Sequence, residues 1–179
     1  MIISHELRMI FIHVPRTGGT TITNLLQQHR GVRLQILSQH GNARTISDSI
    51  FEKYHDYFKF SFVRNPWERT LSWYALLNKH QASRSWEEKK GFEAFLESEI
   101  SVARKRDSND FFCLNQLDYL SLPSGKILVD RIGRFEKYKE EIRDILTPFG
   151  LKVNGIPALN PSAHKPYQYY YTEKSYNLV

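Results

Sequence analysis

Two stretches of this chain decide its fold, FIHVPRTGGTT at residues 11–21 and FSFVRNPWERTLS at residues 60–72. Each begins with an apolar run typical of a buried strand, passes through a short polar turn, and continues into the start of a helix. At such a helix start, backbone N–H groups and the helix dipole both favour an anion. Two turns of this kind in one small chain predict a ligand with phosphate-like groups at two ends.

Strands and helices alternate along the rest of the chain. The predicted strands cover residues 8–14, 33–37, 57–63 and 127–132, and the predicted helices cover residues 20–29, 43–54, 66–77, 91–105 and 136–146. This alternation predicts an α/β fold with a central, mainly parallel sheet flanked by helices. We expect a single domain over residues 1–179, with residues 79–115 as an acceptor-side lid or helical insert and residues 160–179 as a C-terminal tail.

Composition narrows the classes of function. The chain has 179 residues and a formal net charge of +6, which favours an anionic partner, although a basic solvated surface fits the same number. Its single cysteine, Cys113, can form neither a disulfide framework nor a cysteine metal site, and the seven histidines lack ligand spacing, so we expect no metal. No apolar run has the ~20 residues that span a bilayer and no signal-peptide pattern opens the chain, so we expect a cytoplasmic protein.

The first turn combines a basic residue with two glycines. Gly18 and Gly19 allow backbone N–H groups to approach an anion closely, and Thr20 and Thr21 add hydroxyl donors. Arg16 precedes the glycines, whereas the P-loop of nucleoside triphosphatases has a lysine after them. This difference argues against a P-loop kinase. Taken alone, a Gly-Gly turn is also a common structural connection between a strand and a helix.

The second turn offers an arginine and a serine. Arg64 ends the predicted strand and has the planar guanidinium that grips phosphate. Ser72 follows Pro66 by one to two helical turns, within reach of the same ligand. The alternative is that Arg64 pairs with a carboxylate and Ser72 lies on the surface.

Together the two stretches resemble the nucleotide-binding motifs of sulfotransferases that use 3′-phosphoadenosine-5′-phosphosulfate (PAPS). Residues 15–21, including Arg16, Thr17, Gly18, Gly19, Thr20 and Thr21, match the segment that holds the 5′-phosphosulfate, and residues 64–67 with Ser72 match the segment that holds the 3′-phosphate. Residues 39–43, 132–136 and 160–172 also match, and they add Arg134 and Lys165 as nucleotide contacts. The resemblance is closest to the carbohydrate branch, which includes heparan and chondroitin uronyl-type and bacterial enzymes.

This resemblance implies a three-layer, P-loop-like fold and transfer of a sulfuryl group from PAPS to a carbohydrate hydroxyl, leaving 3′-phosphoadenosine-5′-phosphate (PAP), without a metal. It implies Arg16 as a catalytic residue, where the family usually has lysine, and His40 as the base that takes the acceptor's proton. Imidazole suits that role near neutral pH. His13 suits it less, because it lies in the apolar run of the first strand and is expected to be a core histidine.

Two alternatives remain. The arginine at position 16, where the family usually has lysine, also fits a catalytically impaired domain that binds PAP, PAPS or another nucleotide. Positive charge alone also suggests a nucleic-acid-binding protein, but the chain carries no recognised nucleic-acid motif, so we expect no nucleic acid partner.

Overall fold

The chain divides into two compact units. A computed structural model describes residues 1–38, 48–79, 91–98, 115–122, 124–153, 155–156 and 164–179. The first unit combines Met1–Val63 with Asn115–Leu159, and the second combines Arg64–Leu114 with Asn160–Val179.

A five-stranded sheet forms the centre of the first unit. Its strands are β1 (Ile2–Ser4), β2 (Met9–Ile12), β3 (Leu34–Ile36), β4 (Phe58–Val63) and β5 (Arg131–Arg134), in the order β3-β1-β2-β4-β5. β1 pairs antiparallel with both β2 and β3, whereas β2, β4 and β5 pair in parallel. Because β1 runs against both of its neighbours, β3 has the same direction as β2. Four strands therefore end at one edge of the sheet.

The sheet confirms the α/β prediction and corrects two details. β1 was not predicted, and its two antiparallel pairings make the sheet mixed, with four of its five strands in one direction. The last strand was predicted over residues 127–132, but β5 covers Arg131–Arg134, and Ile127 forms only an isolated bridge with Ser121.

The five predicted helices are present in the predicted order with differences at their ends, and two further short helices, at Gln116–Leu120 and Glu173–Tyr176, lie outside the predicted set. They are α1 (Gly19–Gln28), α2 (Asp48–Lys53), α3 (Pro66–Lys79), α4 (residues 91–98), α5 (Gln116–Leu120), α6 (Tyr138–Leu146) and α7 (Glu173–Tyr176), with short 3₁₀ turns at Phe135–Lys137, Thr147–Phe149 and Tyr167–Tyr169. The predicted helices at residues 43–54 and 91–105 lie partly outside the described residues. Among the helices that the structure describes, none is long and apolar enough to cross a membrane.

Each unit has its own apolar core. In the first unit, α1 and α6 cover one face of the sheet, with Ile22 and Ile142 packed in a cluster with Phe11, Phe60 and Phe62. In the second unit, Leu71 and Tyr74 of α3 pack with Phe92 and Leu96 of α4 and with Tyr170 of the C-terminal segment. Burial of these side chains is the main favourable contribution to the stability of each unit.

Candidate active site

The glycine turn connects β2 to α1 in the first unit. Val14 and Thr17 are fully buried, and the Thr17 hydroxyl donates a 2.7 Å hydrogen bond to the Val14 carbonyl, which closes the turn. Gly18 has a left-handed backbone with φ of 84° and caps α1, which begins at Gly19. The N–H groups of Thr21 and Ile22 donate to the Gly18 carbonyl at 3.0 and 3.4 Å, and those of Gly19 and Thr20 precede these first helical bonds. Residues 19–22 carry no charge that would oppose an anion. The turn therefore has the geometry of an oxyanion site.

Arg16 has an unusual backbone within this turn. Its φ is 67°, in the left-handed region that residues with a Cβ rarely adopt. Such a conformation costs about 1–3 kcal/mol and is often found at functional sites. The fold holds Arg16 in this strained position between β2 and the glycines.

Neighbouring side chains explain both glycines. A Cβ at Gly18 would lie 2.6 Å from the Tyr138 ring, and one at Gly19 would lie 2.0 Å from the His13 ring. The Tyr138 hydroxyl also donates a hydrogen bond to the Gly18 carbonyl. His13 is 5% exposed and stacks on Phe11, as expected for a core histidine. The His13 ring thus packs against Gly19, and the Tyr138 ring, from α6, packs against Gly18.

We expect Gly19→Ala to lower the free energy of unfolding by about 1–3 kcal/mol, the usual cost of overpacking a core. Alanine has a higher helix propensity than glycine, so a decrease in the free energy of unfolding would come from the clash with the His13 ring. Urea unfolding of Gly19→Ala, His13→Ala and the double variant measures the coupling. The Gly19→Ala cost should shrink when His13 is alanine, and strictly additive costs would contradict this explanation.

The two threonines at the start of α1 have different surroundings. Thr20 is exposed, whereas Thr21 is 3% exposed and hydrogen-bonds to the Tyr138 hydroxyl. Burial raises the pKa of Tyr138, and the bond from Thr21 partly opposes that rise. Tyr138 is therefore a neutral hydrogen-bonding group at neutral pH. Thr20 is the threonine of this pair whose side chain faces solvent.

The second turn belongs to the second unit and opens α3. The Asn65 side chain accepts a 3.2 Å hydrogen bond from the Glu68 N–H and caps the helix, and Pro66 occupies the favoured first position. Arg64 Nη2 lies 3.2 Å from Glu68 Oε2, and these side chains are 11% and 24% exposed. The carboxylate partner that the sequence left as an alternative for Arg64 is therefore present. A guanidinium has five N–H donors, more than this one carboxylate contact uses.

The remaining predicted site residues have varied surroundings. Ser72 is buried on α3 rather than lying on the surface. Arg134 is exposed at the end of β5, and Lys165 Nζ lies 4.1 Å from the centre of the Tyr169 ring. Trp67 stacks between Tyr176 and Tyr167, whose ring centres are 4.3 and 6.0 Å from its own. His40 lies outside the described residues, as does most of the predicted lid at residues 79–115.

Two residues important to this geometry were not predicted from the sequence. Tyr138 reaches Gly18 from 120 residues away, and no local pattern signals that contact. Glu68 does carry a local signal, because Asn-x-x-Glu at residues 65–68 is a capping pattern at a helix start.

A separate cavity of about 400 Å³ lies near the other end of α1, lined in part by Leu25, His29 and Lys152. A helix of this length spans about 15 Å, so the cavity is remote from the glycine turn. Within the ranges that the structure describes, no His, Cys, Asp and Glu side chains are grouped as metal ligands.

The fold and the glycine turn define an α/β protein in which a glycine turn at the carboxyl end of β2 leads into a helix N-terminus. The family model described as "Sulfotransferase family" matches residues 1–175, and the chain belongs to that family. It is thus a transferase of the sulfuryl-transfer type. No curated protein and no solved structure matches the chain significantly.

Proposed function

We propose that this chain is a PAPS-dependent sulfotransferase whose acceptor is a carbohydrate hydroxyl. The observation that carries the proposal is the turn from Arg16 to Thr21, an oxyanion-binding turn at the carboxyl end of β2 in a chain of the sulfotransferase family. Open α/β sheets bind ligands at the carboxyl ends of their strands. The family match spans parts of both units, which supports a single functional domain of P-loop-like type.

The turn fits a phosphosulfate group on several counts. Gly18 takes the left-handed backbone conformation that turns the chain into α1, the helix start supplies N–H donors, and Thr20 adds an exposed hydroxyl. In the proposal, Arg16, Thr17, Gly18, Gly19, Thr20 and Thr21 hold the 5′-phosphosulfate, and Arg64, Ser72, Arg134 and Lys165 hold the 3′-phosphate side of the nucleotide. PAPS supplies the activated sulfuryl group.

Arg16 and His40 have separate proposed roles in sulfuryl transfer. Arg16 donates hydrogen bonds to the phosphate oxygen on which negative charge develops, which stabilises the transition state without a metal. His40 takes the proton of the acceptor hydroxyl. β3 ends at the same sheet edge as β2, and His40 follows β3 by four residues in the sequence, which supports this role. Residues 79–115 and 160–179 serve as acceptor lid and nucleotide-covering tail.

Transfer of label from ³⁵S-PAPS to a panel of uronic-acid-containing and neutral polysaccharides tests this function. Labelled polysaccharide that depends on the protein supports it. The second candidate is a catalytically impaired PAP-binding domain, which the arginine at position 16 favours because arginine does not give up a proton. Tight PAP binding without labelling of any acceptor in the panel would favour that candidate.

We expect Arg64→Ala to weaken PAP binding by about 10–100-fold, the cost of one charge-assisted hydrogen bond of roughly 1.5–3 kcal/mol. AMP lacks the 3′-phosphate, so its affinity should change less than about threefold. Titration calorimetry measures both ligands. Arg131→Ala is the matched control, because Arg131 also pairs with a glutamate at 3.2 Å but lies at the start of β5. Equal weakening of PAP and AMP would make Arg64 a structural residue.

A further inference from the structure

Glu68 connects Arg64 to the C-terminal segment, residues 164–179. Its two carboxylate oxygens have different partners within the second unit. Oε2 is 3.2 Å from Arg64 Nη2, and Oε1 accepts a hydrogen bond of 3.3 Å from the Tyr167 backbone N–H. One carboxylate thus contacts both the arginine that opens α3 and a backbone amide that lies 99 residues further along the chain.

The same segment packs on the first turn of α3 through Trp67. The Trp67 indole N–H donates to the Tyr176 carbonyl at 3.1 Å, and the Tyr171 hydroxyl donates to the Trp67 carbonyl at 3.1 Å. The Trp67 ring stacks on Tyr176 at an interplanar angle of 12°. Further along the segment, Thr172 donates a hydrogen bond to Glu93 of α4. Movement of the segment would therefore change the contacts of Trp67, which lies on the first turn of α3 near Arg64 in the sequence.

Electrostatics also tie Glu68 to this segment. Burial raises the pKa of Tyr171, and the negative charge of Glu68 contributes to that rise. The pair of Arg64 and Glu68 is mostly sheltered from solvent, so its attraction is screened less than that of an exposed surface pair. Glu68 also lies in the first helical turn, where the helix dipole favours its negative charge.

We propose that Glu68 is a positioning residue that couples the guanidinium of Arg64 to the C-terminal segment, so that a phosphate bound by Arg64 also orders the segment at Tyr167. The proposal rests on the proposed function only in assigning the 3′-phosphate of the nucleotide to Arg64. A phosphate that fixes Arg64 limits the motion of Glu68, and Glu68 in turn holds the Tyr167 N–H. AMP, which has no 3′-phosphate, does not produce this ordering.

Hydrogen–deuterium exchange at Tyr167, with PAP and AMP as probes, tests the coupling in the full chain. We expect PAP but not AMP to slow exchange in the wild type. In Glu68→Ala, exchange at Tyr167 should be about tenfold faster without nucleotide and should no longer respond to PAP, whose affinity should fall about tenfold, as for loss of one hydrogen bond. Glu68→Gln keeps an oxygen acceptor for the Tyr167 N–H and should restore most of the protection.

Glu93→Ala is the matched control, because it removes the Thr172 contact of the same segment without touching Arg64 or Tyr167. It should leave the response of Tyr167 to PAP intact. Unchanged exchange at Tyr167 in ligand-free Glu68→Ala would overturn the positioning role itself. A response to PAP that persists in Glu68→Ala, or a Glu68→Gln variant that behaves like the alanine variant, would overturn it as well. A wild type that does not bind PAP would instead overturn the proposed function.

Discussion

Replacing His40 with alanine is expected to lower the rate of sulfuryl transfer by about 10²–10⁴-fold, the usual contribution of a general base. Nucleotide affinity should change less than about threefold, because the proposed role of His40 concerns the acceptor hydroxyl alone. The imidazole must be neutral to accept a proton, so activity in the wild type should fall as pH drops below the histidine pKa. That acidic step should disappear from the pH profile of His40→Ala.

The measurement is kcat with a saturating acceptor across pH 5–9, alongside PAP affinity by calorimetry. His55→Ala is the control, because His55 is an exposed histidine whose ring Nδ1 lies 3.1 Å from the Glu52 carbonyl oxygen and which has no part in the proposed site. A His40→Ala variant with wild-type activity and pH profile would exclude His40 as the base. The next candidates for the general base would then be His13 or a carboxylate.

Replacing Arg16 with alanine is expected to lower kcat by about 10²–10³-fold, the loss typical of removing one donor to a developing oxyanion. PAP affinity should fall much less, because the interaction is strongest when charge accumulates on the bridging oxygen. Alanine at this position keeps a Cβ in the left-handed backbone region, so Arg16→Ala changes the side chain without relieving the strain at φ of 67°.

Arg16→Lys is the matched variant for this prediction. Lysine retains the positive charge and restores the residue usual in the family, so kcat should stay at the wild-type value or rise. Single-turnover rates and PAP dissociation constants separate the two effects. Equal losses in PAP affinity and turnover for Arg16→Ala would mean that Arg16 only holds the bound ligand.

Local sequence patterns predicted the elements that carry the candidate site. Each of the two quoted stretches contains its own strand, turn and helix start, so β2, α1, β4 and α3 follow from neighbouring residues alone. Two strands depend on distant partners and were harder to predict. β1 has only three residues, too few for a period, and it is defined by its pairing with β2 and β3.

The displacement of β5 has the same origin. The strand predicted over residues 127–132 begins with the apolar run at residues 127–129, but Asp130 fixes the register and β5 begins only at Arg131. The Asp130 carboxylate accepts a 2.7 Å hydrogen bond from the Lys59 N–H, and the Asp130 N–H donates to the Lys59 carbonyl at 2.8 Å. The contacts of Glu68 with Tyr167 and of Tyr138 with Gly18 likewise join residues far apart in sequence. Such contacts have no local pattern from which they could be predicted.

The thermal stability of the wild type in the presence of PAP, AMP or ATP tests the proposed use of PAPS most directly. A ligand at 100 times its Kd stabilises the folded state by about 2.7 kcal/mol, which corresponds to a Tm increase of about 5–10 °C for a chain of this size. A protein that holds phosphate groups at both Arg16–Thr21 and Arg64 should gain this increase with PAP at concentrations at which AMP and ATP have little effect. Equal stabilisation by all three nucleotides, or stabilisation by ATP alone, would contradict the proposed use of PAPS.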